Sequence, residues 1–197
     1  IYTGEDTLSL HDALPISSCG QDALMYPTLV ALNCLGRTCC INAATTARGM
    51  QQVGLLFVLS PALRWLYPEG AARARAFARY GGHSNTHPFM IPLFVGILLS
   101  LEEEIAKGTL PESAVSSVRE TLATTLSALG DSFFSGTLLP LWALVSVALL
   151  LSGHIALAGF LAVAFFFALL LFRAGSFFSG LRHGMPVLVR PLSRVQG

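Results

Sequence analysis

The chain has 197 residues, 53% of them hydrophobic and only 12% charged, with a formal net charge of +1. Soluble domains carry about 25% charged residues, so the composition points to a membrane protein and argues against a freely soluble one. Arg and Lys are scattered rather than blocked, which excludes a grip on a polyanion, and no nucleic-acid partner is expected.

The first 22 residues hold Glu5, Asp6, Asp12 and Asp22 and no basic residue, the opposite of a secretory signal. The segment TLSLHDALPIS resembles translated read-through of a sequencing adapter. Residues 1–18 are therefore expected to be artefactual or disordered, and 19–197 to form one membrane domain. Cys19, Cys34, Cys39 and Cys40 lack zinc-ligand spacing and read as small apolar side chains in a reducing compartment.

Residues 50–66 form an apolar segment with Pro61 inside it and Arg64, Trp65 and Tyr67 at its end, where aromatic side chains suit a membrane interface. The turn residues of YPEG, 67–70, close it. Residues 71–80 are Ala- and Arg-rich, with Arg73, Arg75 and Arg79, and read as a solvated helix near anionic headgroups.

Stretch 81–108 is unusual. Gly81-Gly82 break the preceding helix, Asn85 and Thr86 are capping types, and Pro88 suits a first turn. A helix is expected from 88 to about 104, with an uncharged core, 89–101, ended by Glu102, Glu103 and Glu104. Thirteen residues give roughly 20 Å, short of the ~30 Å hydrocarbon layer, which suits a re-entrant helix with polar groups at both ends. Three consecutive carboxylates cannot share one helix face, so one or two should point inward. A cap that merely ends the apolar run remains open for all three. His83 and His87 stand four apart but lack the Glu of a zinc-protease motif, and the flanking Gly and Pro residues oppose a continuous helix. No metal or cofactor site is expected.

Residues 111–130 repeat apolar side chains at Val115, Val118, Leu122, Leu126 and Leu129, with Ser116, Ser117, Arg119, Glu120 and Thr124 opposite. They predict an amphipathic helix stopping at Gly130-Asp131. Residues 132–172 then carry no formal charge, enough for two spans, 133–151 and 155–172, joined by a turn in LSGHI. Pro140 is expected to kink the first. Arg173, Arg182, Arg190 and Arg194 follow, which places that end in the cytoplasm, and Asp131 should lie near the same face or inside a protein cavity. The fold class expected is all-α: a multi-pass membrane protein with amphipathic and re-entrant helices and a transmembrane hairpin.

Several ordered segments, GMQQVG (49–54), PALRWLYPEG, NTHPFM, GILLSLEEE, LGDSFFSGTLLP and GLRHGM (180–185), together resemble subunit IID of the mannose/fructose/sorbose family of bacterial sugar phosphotransferase systems. The likeness covers about residues 40–190. Ser135 stands where the family has Trp, Leu139 where it has Arg, and Ala47-Arg48-Gly49 replace the family residues before Met50. The family's C-terminal membrane region is expected to be missing.

The resemblance implies a subunit of a hexose permease in the bacterial inner membrane. It would form a hetero-oligomer with a IIC membrane subunit and be served by the IIA and IIB phosphocarriers, in contact with lipid. IID itself would carry no phosphoryl group and would not be an enzyme. Asn85, Thr86, His87, Glu102, Glu103 and Asp131 would then be sugar-binding residues, since polyols suit amides and carboxylates. Two plainer alternatives stay open: capping alone for Asn85, Thr86 and Asp131, and a divergent, non-transporting membrane partner for the whole chain. A third, an intramembrane hydrolase using His83, His87 and a Glu, is the rival from a different functional class.

Overall fold

A computed structural model describes residues 26–192, and residues 1–18, with the adapter-like segment, lie outside the described residues. Seven α-helices follow in order: α1 (Thr28–Arg37), α2 (Gln52–Leu66), α3 (Gly70–Arg79), α4 (Ile91–Ala106), α5 (Ala114–Gly130), α6 (Leu139–Leu151) and α7 (Ile155–Leu192). A 3-10 segment, Thr38–Ala44, follows α1, and a π-helical segment, Asp131–Leu138, joins α5 to α6. No element is expected from the sequence over residues 28–44, where α1 and the 3-10 segment stand.

The core is built around α4. Nearly all of it is buried, from Ile91 through Leu98 and Leu99 to Ile105, so the uncharged stretch is enclosed by protein. Tyr26 donates its hydroxyl to the carbonyl of Leu99 at 2.9 Å, pinning the first described residues onto α4. The helix starts at Ile91 rather than Pro88. Residues 88–90 form a turn in which the Met90 amide donates to the His87 carbonyl at 2.8 Å. It ends in a Schellman motif: the Gly108 amide donates to Ile105 and the Thr109 amide to Glu104, with Gly108 at φ +78°, where only glycine sits without strain.

Small residues let α7 lie directly on α4. A Cβ at Gly96 would strike the Phe177 carbonyl, one at Gly180 the Leu93 carbonyl, and one at Gly184 the Ser100 hydroxyl. Gly96 and Ser100 face Gly180 and Gly184, each pair four apart, the spacing that brings helix backbones together in membranes.

Two expectations about the long helices fail. The chain does not stop at Gly130-Asp131. Both residues are right-handed helical, and α5, the π segment and α6 run as one helix through Val115–Leu151. Glycine at 130 serves close approach to a neighbour, described below, rather than termination. The helix also runs on through Pro140, which stands in the first turn of α6 directly after the π segment. The second arm does not end at 172 either: α7 continues to Leu192, held on α4 by the small residues.

The arms meet at Ser152, Gly153 and His154 in a second Schellman turn. The His154 amide donates to Leu149 and the Gly153 amide to Leu150, with Gly153 at φ +78°. Beyond the core the hairpin is bare. Leu144, Leu151, Phe160, Phe167 and Leu171 are exposed, and only 6% of the most apolar window of each span is buried. Hydrocarbon-length helices with apolar side chains all round are suited to a bilayer or a membrane partner.

Four side chains depart from their expected surroundings. Arg119, placed on the polar side of the amphipathic helix, is 4% exposed, beside buried Val115, Ala123 and Leu126. Arg79, expected in solvent, is enclosed. Cys34 is buried, and burial pushes its thiol up to about 11, but Cys39 and Cys40 are exposed. The short 3-10 segment holding them turns only Thr38 and Ile41 inward.

Candidate functional site

The segment 83–87 crosses the start of the long helix and is positioned from two sides. On one side Gln51 reads the backbone of Thr86 with both ends of its amide: Oε1 accepts from the Thr86 N–H at 2.9 Å, and Nε2 donates to the Thr86 carbonyl at 2.9 Å. Met50 and Ser84 form an isolated bridge beside it, and Met50 holds a positive φ of 51°. GMQQVG therefore acts as a clamp on the loop. On the other side His87 rests against Gly130, where a Cβ would collide with the His87 Cβ and Cγ. The imidazole stacks on Phe134 with ring centroids 5.6 Å apart and 13° between planes.

His87 is buried, and its two nitrogens have separate tasks. The Phe89 amide donates to Nδ1 at 3.4 Å. A neutral ring that accepts at Nδ1 carries its proton on Nε2, and Nε2 lies 3.0 Å from the Ser135 hydroxyl oxygen. In that tautomer His87 donates to Ser135, and in the other it accepts from the hydroxyl. An Asp131 oxygen is 4.0 Å from the same nitrogen. Burial pushes the imidazole below its ordinary pKa, and Asp131 works in the opposite direction.

A cleft of about 590 Å³ opens here, lined by His83, Asn85, Glu120, Thr124, Ser127 and Asp131 together with two alanines. Asn85 and Asp131 are exposed in it. Carboxylates, an amide and hydroxyls converge, a donor set suited to an uncharged polyol.

The glutamates belong to a different cluster. Glu102 is fully buried. Arg79 approaches it as a fork, Nε to Oε1 at 3.1 Å and Nη2 to Oε2 at 2.7 Å. Tyr80 donates to Oε1 at 2.7 Å and Tyr67 to Oε2 at 2.8 Å. Burial, reinforced by the Glu102 charge, pushes both phenols well above their ordinary pKa, so both remain donors. Arg79 also donates to Glu112 at 2.7 Å. Glu103 is inward and paired with Lys107 at 2.7 Å, while Glu104 is half-buried and pairs with the same amine at 3.3 Å.

Of the six residues named from sequence, Asn85 and Asp131 therefore line the cleft, and His87 stands beside it with Nε2 4.0 Å from the Asp131 carboxylate. Thr86 is adjacent, with its hydroxyl buried and unpaired among the described residues. Glu102 and Glu103 are committed within the chain. Gln51 and Tyr80 carry no role in the sequence pattern, Tyr67 reads there as interfacial and Arg79 as solvated, and Ser135 only as a departure from the family pattern. One signal was available: Ala72, Ala76, Arg79 and Tyr80 fall on one face of α3 at steps of four, three and one, which puts Arg79 on the side that packs.

Comparison with known proteins decides the family. The family model described as the PTS system mannose/fructose/sorbose family IID component matches residues 30–194. The chain belongs to this family. As a IID component it is 36% identical over 106 residues to the mannose-specific EIID component of Escherichia coli K12, covering 53% of this chain and 38% of that one. It is 32% identical over 106 residues to the fructose permease IID component of Bacillus subtilis 168, again covering 53% and 38%.

The chain thus spans about 38% of the length of the curated relatives it matches. A chain in the cryo-EM structure of the mannose transporter ManYZ with microcin E492 superposes with a TM-score of 0.70 at 29% identity, covering 82% of this IID chain and 58% of the other. The all-α membrane fold and the family read from the sequence both hold.

Proposed function

We propose that this IID chain is one membrane subunit of a hexose permease of the phosphotransferase system. With a IIC subunit it lines the uptake path, and a IIB protein phosphorylates the sugar as it leaves. The observation that carries the reading is the cleft at the root of the uncharged hairpin, where Asn85 and Asp131 present an amide and a carboxylate to an uncharged ligand. His87 orients that rim from behind. Thr86, Glu102 and Glu103 take supporting roles, holding the loop and α4 in place. The short buried helix of the 81–108 stretch keeps its polar entrance beside the path.

The test is purification of the tagged chain from its host in mild detergent, followed by hexose phosphorylation by the recovered complex. Co-purification of a IIC-type subunit and a IIB-type protein is expected. Asp131→Asn should raise the KM for hexose by roughly 10- to 100-fold, the worth of a hydrogen bond to a charged group. A chain recovered without a IIC-type subunit, and without phosphorylating activity, would sink the reading. A specific pair of residues favours a second one, a non-transporting partner: Leu139 and Ser135 replace the Arg and Trp of the family pattern, and with Arg goes a permanent charge and a bidentate donor. Uptake gained by Ser135→Trp/Leu139→Arg, from a silent starting protein, would select that second reading.

A further inference from the structure

The outer face of α1 and α2 belongs to neither the cleft nor the hairpin. Leu29 and Leu32 on α1 and Val53, Phe57 and Trp65 on α2 are exposed, Leu29 at 80% and Trp65 at 55%. Spacings of three, four and eight put them in one stripe on each helix. Arg37 joins the stripes: Nε donates to Asn33 at 2.8 Å, and Nη1 donates to the Phe57 carbonyl at 3.0 Å and to the Ser60 hydroxyl at 2.8 Å. Its guanidinium lies 4.5 Å over the Phe57 ring. The two helices thus present one fixed apolar surface.

The charge around it is mostly positive. Between residues 26 and 101 Glu69 is the only acidic side chain, against Arg37, Arg48, Arg64, Arg73, Arg75 and Arg79. Arg79 is consumed by Glu102 and Glu112, while Arg64 and Arg75 are exposed and Arg73 is half-exposed. The level of this face is also set. Arg173, the first charge after the uncharged run, donates through Nη2 to the Thr38 hydroxyl at 2.9 Å and through Nη1 to the Pro88 carbonyl at 3.3 Å. The end of α1 is therefore tied to the point where the hairpin leaves the hydrocarbon.

We propose that the outer α1–α2 face lies in the headgroup layer of an anionic leaflet. The aliphatic side chains and Phe57 reach the acyl boundary, Trp65 sits at headgroup level, and Arg64, Arg73 and Arg75 meet lipid phosphates. An apolar stripe rimmed by arginine, with tryptophan at its edge, is the chemistry of an interfacial helix, and anionic lipid attracts its cations. The inference rests on the hairpin crossing the bilayer.

Trp65 and Trp142 are the protein's two tryptophans, one on this face and one on the hairpin, and they separate the two ideas. The full chain would be placed in nanodiscs of phosphatidylcholine with or without phosphatidylglycerol, using lipids brominated near the headgroup end of the chain or near its tip. Trp142→Phe leaves Trp65 as the reporter, and Trp65→Phe leaves Trp142. Trp65 emission should be quenched by headgroup-end bromine in anionic discs. That quenching should drop severalfold in neutral discs and on Arg64→Gln/Arg73→Gln/Arg75→Gln, while Trp142 stays quenched throughout.

Trp65 open to acrylamide and untouched by bromine, with Trp142 quenched, would overturn the proposal alone. Trp65 shielded only after a IIC-type subunit is added would give the face to a protein instead. Trp142 unquenched in every disc would remove the bilayer premise itself.

Discussion

At position 130 the long helix carries no side chain, and the His87 ring fills the space. Gly130→Ala adds a Cβ where the His87 Cβ and Cγ already lie. Overpacking of this kind costs about 1–3 kcal/mol, so a lowered thermal midpoint in detergent is expected, with weakened hexose binding if the ring is displaced. His87 also gives the fold a pH dependence. Its folded pKa is below the ordinary value, so the unfolded chain binds the proton more readily, and stability rises with pH through the histidine range. Above about 6.5 the neutral ring carries no penalty. Acidification below that point should lower the midpoint, and His87→Gln should flatten that slope relative to the parent protein. A parent and variant with parallel pH profiles would show that His87 is not the group responsible.

Among the helices, the Arg79–Glu102 pair fixes α3 to α4. Glu102→Gln leaves the enclosed guanidinium with only the exposed Glu112 opposite it, a loss of up to about 3–5 kcal/mol, the cost of removing one partner of a buried pair. Arg79→Met/Glu102→Leu removes both charges and should cost less than Glu102→Gln alone, as read by urea or thermal unfolding. An equal or larger loss in the double variant would mean that the tyrosines, not the charge pair, hold the cluster.

The apolar periodicities gave α2, α4 and the hairpin arms, because those depend on local pattern. What stayed hidden depends on partners distant in the chain. Arg119 sits four residues after Val115 and belongs to the packing stripe, yet the room for its guanidinium comes from Gly82, where a Cβ would collide with it, and its partner is the Arg79 carbonyl at 3.3 Å. Gly130 read as a stop because a glycine before Asp usually ends a helix, and nothing local announces His87. Asn85 and Asp131 were legible as polar residues flanking apolar runs. That they share one cleft, while Glu102 does not reach it, follows from the tertiary fold.

The whole molecule divides into a packed body and a bare hairpin tied together at Arg173. In a cysteine-free background, Ser152→Cys at the hairpin tip should react with an impermeant maleimide from outside the cell, while a cysteine at Arg75 should react only from the cytoplasmic side. The opposite pattern would reverse the orientation drawn from the basic residues after the hairpin.

The unbroken helix from Val115 to Leu151 has a mechanical consequence. A span adjusts to bilayer thickness by tilting. The packed body meets this helix near its middle, at the π segment, where Gly130 and Asp131 lie against His87. A change of tilt is therefore expected to reach the rim of the cleft and to couple its width to membrane thickness. Hexose affinity in proteoliposomes of graded acyl-chain length should vary with chain length, and a glycine pair inserted after Leu138 should uncouple the two.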